Sequence, residues 1–160
     1  LRVIGTAGGP DKVRRAKENG CDEVIDTKSE DIVARVKAVT GGAGVSAVFD
    51  SVGKDTFAAS LDSLRPRGMV VLFGQSSGVV PPLELSQLAA KGSLFVTRPS
   101  LAHYVASRID LELSADRLCE VVSSGTVRIE IGRSYPLRDA AQAHRDLEAR
   151  KTTGSTLLLP

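Results

Sequence analysis

Three times in this chain an apolar, strand-like run ends in a loop of glycines and small residues. Val70-Val71-Leu72-Phe73 leads into Gly74-Gln75-Ser76-Ser77-Gly78, Val3-Ile4 into Gly5-Thr6-Ala7-Gly8-Gly9, and Val48-Phe49-Asp50 into Ser51-Val52-Gly53. Junctions of this kind belong to parallel α/β sheets, whose ligands bind just outside the carboxyl ends of the strands. Small residues there let a flat or phosphorylated ligand approach the backbone. Three such junctions point to part of a nucleotide site, yet the G-x-G-x-x-G fingerprint that usually opens one is missing.

Between the junctions strand and helix alternate, the rhythm of a parallel sheet wound by crossovers. Strands are expected at residues 2–6, 23–26, 45–50, 69–73 and 93–97. A helix from Pro10 ends at Gly20, and a second spans 30–39 behind Ser29 as N-cap. Two more span 54–64 and 84–91. Beyond Leu101 the rhythm changes: helices near 101–109 and 114–123, a strand at 127–131, a helix at 137–150 and a strand at 155–159 are expected.

Composition narrows the function. Apolar residues make up 42% of the chain and charged residues 25%, enough for a core. The net charge of +2 comes from mixed signs with no basic block, which argues against nucleic acid. No apolar run is long enough to span a bilayer. Cys21 and Cys119 lie far apart without zinc spacing and read as small buried apolar residues, in keeping with a reduced cytoplasmic setting. The chain opens at Leu1 directly on strand-like sequence, so a piece of a longer protein is expected.

Several segments carry a resemblance. Asp50-Ser51-Val52-Gly53, Phe73-Gly74-Gln75-Ser76-Ser77-Gly78, Gly92-Ser93-Leu94-Phe95-Val96-Thr97-Arg98-Pro99-Ser100 and Ala143-His144-Arg145-Asp146-Leu147-Glu148-Ala149-Arg150 are similar to the zinc-independent quinone oxidoreductases of the medium-chain dehydrogenase/reductase superfamily, the zeta-crystallin-like enzymes. The resemblance covers essentially the whole chain. It implies an α/β fold: a Rossmann-like doubly wound parallel sheet lacking its first strand, with a C-terminal α/β extension. Residues 1–110 would form the partial dinucleotide-binding domain, and 111–160 a segment that in the family packs with a catalytic domain. The absent strand would lie mid-sheet, leaving a gap to be closed by direct pairing or by a partner, or else left as instability.

The resemblance also implies NADP(H) as cofactor and assigns residues to it. Gly8 and Lys12 match positions that bind the 2′-phosphate. The residues support this independently: no acid follows the strand until Asp11, and a cation on the first helical turn suits a phosphate. Lys12 reads equally as an exposed lysine on a charged helix. Thr27 stands where many members have a tyrosine. Beside it Asp26 could repel a phosphate, Arg15 or Lys28 could compensate, and the stretch reads equally as a polar turn. Phe73, Gly74, Gln75 and Ser76 match the segment along the nicotinamide riboside, although Phe73 also suits a core position. Ser51-Val52-Gly53 could touch the same cofactor.

Arg98 matches positions facing the active-site cleft, where a cation could polarise a quinone oxygen; a phosphate contact or a salt bridge would use the same side chain. His144 is a candidate acid, but a packed structural histidine fits its helix better. The implied activity is hydride transfer from NADPH to a quinone or other small carbonyl acceptor, with the isolated chain inactive. An enoyl or alkenal reductase shares the scaffold. A non-catalytic module dimerising through an edge strand at 93–97 is the competing class.

Overall fold

The computed structural model describes residues 1–149 and 151–160. They form two compact units, Leu1–Ser100 and Leu101–Pro160. The first contains β1 (Ile4–Ala7), α1 (Pro10–Glu18), β2 (Glu23–Asp26), α2 (Ile32–Val39), β3 (Val45–Asp50), α3 (Phe57–Asp62), β4 (Leu64–Leu72), α4 (Leu85–Ala90) and β5 (Phe95–Thr97). The second contains α5 (Leu101–Tyr104), α6 (Arg108–Ser123), β6 (Ile131–Pro136), α7 (Ala140–Glu148) and β7 (Ser155–Leu159).

Every strand pair is parallel, and α1, α3, α4 and α7 each connect two paired strands, as the alternating pattern requires. The first unit does not form one continuous sheet. β1 pairs with β2, and β3–β4–β5 form a second sheet; among the described residues no ladder joins them. Direct pairing therefore does not close the expected gap. What meets between the two halves is helix against helix, α2 on α3.

The core follows from alternation along the strands. Val48, Val70 and Val96 stand side by side, and Val70 and Leu72 pack with Phe57, Leu61, Leu64 and Leu94. Burying an apolar side chain of this size stabilises by about 1.5–3 kcal/mol. The alternate positions, Ala47-Met69-Phe95 and Phe49-Val71-Thr97, lie on the opposite face. There Phe49 is 72% exposed and Phe95 55%.

Local departures from the sequence reading have identifiable causes. The helix expected at 30–39 starts at Ile32, because Asp31 rather than Ser29 caps it, accepting from the Ala34 N–H at 2.7 Å. Arg65-Pro66-Arg67-Gly68, the stretch between the helix expected to end at 64 and the strand expected from 69, falls inside β4 as an irregularity, with register jumping from Val45↔Leu64 to Ala47↔Met69. β5 begins at Phe95, since Gly92 (φ 106°) and Ser93 (φ 57°) occupy the left-handed region that ends α4.

In the second unit α6 starts at Arg108, well before residue 114, because Ser107 caps it through the Asp110 N–H. The strand expected at 127–131 lies instead at Ile131–Pro136. Val127 is drawn back by its N–H bond to Val121 O (2.9 Å), and β7 supplies the pairing partner further along. The helix expected to reach Arg150 ends at Glu148, and Arg150 itself lies outside the described residues. Within this unit the buried Asp146 carboxylate accepts from Tyr135 OH at 2.8 Å and Gln142 Nε2 at 3.0 Å, fastening α7 to β6. No described helix is long and apolar enough to cross a membrane.

Candidate functional site

The candidate residues gather at the carboxyl ends of the strands. At β3 and β4 two loops are laced together by backbone bonds. Asp50 O accepts from the N–H groups of Phe73 (2.9 Å) and Gly74 (3.3 Å); Ser51 O accepts from Ser76 and Val52 O from Ser77. The Ser77 hydroxyl donates to Val52 O at 2.8 Å and accepts from the Asp55 N–H at 3.0 Å. Lys54 N–H returns to Gly78 O.

Beneath this double loop sits Asp50, only 4% exposed. Its carboxylate accepts from the N–H groups of Val52 (2.8 Å) and Gly53 (3.0 Å) and from the hydroxyls of Thr56 (2.8 Å) and Ser60 (2.7 Å). Burial pushes its pKa up, but these bonds to Gly53, Ser60, Thr56 and Val52 together pull it below the ordinary carboxylate value. The sequence reading quoted Asp50 only within a motif and missed this role. Thr56 and Ser60, four residues apart on one helical face after the strand, were the available signal.

Gly74 is fixed by the same lacing. A Cβ there would strike the carbonyl oxygen of Ser51 and approach its Cα to 2.8 Å. Close approach between the loops thus already demands glycine. Phe73, Gln75 and Ser76 are exposed, Phe73 by 53%, so its ring is not a core residue. Arg98 leaves the end of β5 and donates from Nη1 to Leu72 O at 3.2 Å, which sets an exposed guanidinium beside the start of the Phe73 loop.

The second group lies at the ends of β1 and β2. Thr27 N–H bonds Ala7 O at 2.9 Å and its hydroxyl reaches the same oxygen at 3.4 Å, bringing Thr27 beside Gly8. Asp26 does not project freely outward: Oδ1 accepts from both Gly9 N–H (2.8 Å) and Lys28 N–H (3.0 Å). Those two bonds, Gly9 first, lower its pKa. Lys12 is half-buried on the first turn of α1.

Three residues fall elsewhere. His144 is exposed on α7 instead of packed. Cys119 is exposed on α6, which has no buried residue, and Cys21 is only half-buried against Gly5. The expectation of two buried cysteines is corrected accordingly.

Parallel βαβ units with small-residue loops over their carboxyl ends define a nucleotide-binding type of α/β protein. The chain belongs to the zinc-binding dehydrogenase family, whose model matches residues 19–158. It is 46% identical over its whole length to a quinone oxidoreductase of Pseudomonas aeruginosa, covering 49% of that protein. It is 42% identical to a 2-haloacrylate reductase of a Burkholderia species, with 99% of the chain and 48% of the relative covered. The structure of Escherichia coli quinone oxidoreductase complexed with NADPH superposes with a TM-score of 0.95 at 45% identity, over 99% of this chain and 49% of that one. The chain spans about half the length of the curated relatives it matches.

The family description prompts a test for zinc. Among the described residues no three His, Cys, Asp or Glu side chains gather where they could hold a metal ion. The described donor set therefore does not fit a zinc centre.

Proposed function

We propose that this chain is the nucleotide-binding half of a zinc-independent, NADPH-dependent reductase acting on a quinone-type acceptor. The observation that carries the reading is the end of β1. Gly8 and Gly9 turn into a helix bearing Lys12, and the nearest carboxylate after β2, Asp26, is spent on backbone N–H groups instead of a ribose hydroxyl. That chemistry favours a phosphorylated ribose over a plain one. The Escherichia coli relative solved with NADPH supports it.

Gly8, Lys12 and Thr27 would hold the adenosine-phosphate end, and Phe73, Gly74, Gln75 and Ser76 the nicotinamide riboside. The bound nicotinamide supplies the hydride. The double loop over Asp50 fixes where the ring-contacting segment sits, and Arg98 offers a cation beside it for a developing oxyanion. The exposed apolar residues of α6 beyond residue 110, Leu111, Leu113 and Leu118, suit the packing of residues 111–160 against a catalytic domain. Without that domain the isolated chain would bind nucleotide but not turn over. Both cysteines are free, in keeping with a cytoplasmic setting.

Calorimetry with NADPH and NADH tests the reading. The chain should prefer NADPH, and Lys12→Ala should lose about fivefold of that preference, as expected for an ion pair at the protein surface. Equal affinity for the two cofactors, or binding of neither, would overturn it. The 2-haloacrylate reductase relative favours a second acceptor class, an activated alkene, reduced on the same scaffold.

We also propose a homodimer formed through residues 93–97. β5 pairs with β4 on one side only, and its other edge is open among the described residues. Thr97→Pro would then halve the mass measured by sedimentation; an unchanged mass would count against the dimer.

A further inference from the structure

We propose that Lys28 is a second phosphate-binding cation of this site, and that a turn tied down by Asp26 holds it there. The inference rests on the NADPH reading above and goes beyond it by naming the residue that compensates for Thr27.

The placement comes from the glycine turn. A Cβ at Gly8 would meet Lys28 Cε at 3.8 Å, and one at Gly9 would meet Lys28 Nζ at 3.7 Å. The Lys28 side chain therefore lies along the Gly8-Gly9 turn with its ammonium over Gly9. It is exposed, and among the described residues neither it nor Lys12 forms a salt bridge.

The acids nearby are engaged. Asp26 Oδ1 binds Gly9 N–H and Lys28 N–H together, so one carboxylate fixes the glycine turn and the backbone that carries the lysine. Glu30 accepts from the Asp26 N–H at 2.9 Å and pairs with Arg35 at 3.3 Å. Asp11 pairs with Arg14 at 3.2 Å.

This bonding also removes a donor. Gly9 N–H is already committed to Asp26 and is not free for an anion. The Thr27 hydroxyl is likewise turned to Ala7 O. Recognition of a phosphate at this turn then falls to the ammoniums of Lys12 and Lys28. A compact ammonium on a flexible stem suits a phosphate as a point charge.

The test is binding of 2′,5′-ADP, 5′-AMP and inorganic phosphate to the full chain and to its Lys28→Ala, Lys28→Arg and Lys12→Ala variants. The wild type should bind 2′,5′-ADP more tightly than 5′-AMP. Lys28→Ala should weaken 2′,5′-ADP about fivefold while leaving 5′-AMP unchanged, and should flatten the salt dependence. Lys28→Arg should restore both. If the wild type does not distinguish the two nucleotides, the NADPH reading and this inference fall together. If it does distinguish them and Lys28→Ala still does while Lys12→Ala does not, only the inference falls. Equal weakening of both nucleotides by Lys28→Ala would make the residue merely structural and overturn it. Inorganic phosphate binding as tightly as 2′,5′-ADP would reduce the turn to a simple anion site and overturn it too.

Discussion

Replacing Asp50 by Asn should destabilise the first unit by about 3 kcal/mol, because hydrogen bonds to a buried charged acceptor are strong and their loss leaves donors unpaired. The carboxylate serves four donors at once, two backbone N–H groups and two hydroxyls. An amide keeps one acceptor oxygen and turns an NH2 group toward hydroxyls that need an acceptor. Urea denaturation followed by circular dichroism measures the loss; a midpoint unmoved from wild type would refute it.

The same residue sets a pH dependence. Its folded pKa lies below the ordinary carboxylate value, so its contribution is complete above that ordinary value. The contribution is lost as pH falls through the lower folded value, where the native carboxylate takes up a proton. The wild type should therefore lose stability on acidification more steeply than Asp50→Asn, whose amide has no proton to gain. Parallel acid profiles would show that the buried carboxylate contributes nothing through ionisation.

Gly74→Ala should be nearly as costly, about 1–3 kcal/mol, as for other insertions into well-packed space. The new methyl would collide with Ser51 backbone, not with a side chain that can swing away. Ser51 in turn is anchored by its neighbours' bonds to Asp50 and to the Phe73 loop. The loops must part, and Phe73 must shift with them. Gly8→Ala is the matched control, since its methyl would meet only Thr27 Oγ1 at 3.6 Å and Lys28 methylenes beyond that. Thermal melting should fall for Gly74→Ala and stay put for Gly8→Ala. Equal melting temperatures for the two would rule out the steric account.

These residues show what a sequence makes legible. The β1-to-β5 alternation could be read because strands of a parallel unit carry their pattern locally: Val70 and Leu72 are apolar for a core that α3, just before their strand in the chain, supplies with Phe57 and Leu61. The end of β1 was legible for a similar reason, since a proline just inside the first helical turn marks a helix start. Asp50 was harder, because an acid at a strand end reads as polar punctuation until Thr56 and Ser60 are folded back over it. Asp26 was read as a possible repellent of phosphate because its direction depends on two backbone N–H groups, one of them seventeen residues away. The shift of β6 past the alternating Val127-Arg128-Ile129-Glu130-Ile131 run has the same origin. Strand identity there is decided by register with β7, Tyr135 opposite Leu158, and by the Tyr135 bond to Asp146.

The missing ladder between β2–β1 and β3–β4–β5 gives a ligand an unusual part to play. Among the described residues the two ribbons share no ladder, and α2 packs on α3 between them. A dinucleotide gripped at Gly8 on one ribbon and at the Phe73 loop on the other would be a tie-bar between them. Its binding free energy would then add to the cohesion of the fold itself, growing with the logarithm of its concentration. In such a chain cofactor and scaffold are not separable parts: the molecule that the ribbons hold would also be the one that holds the ribbons.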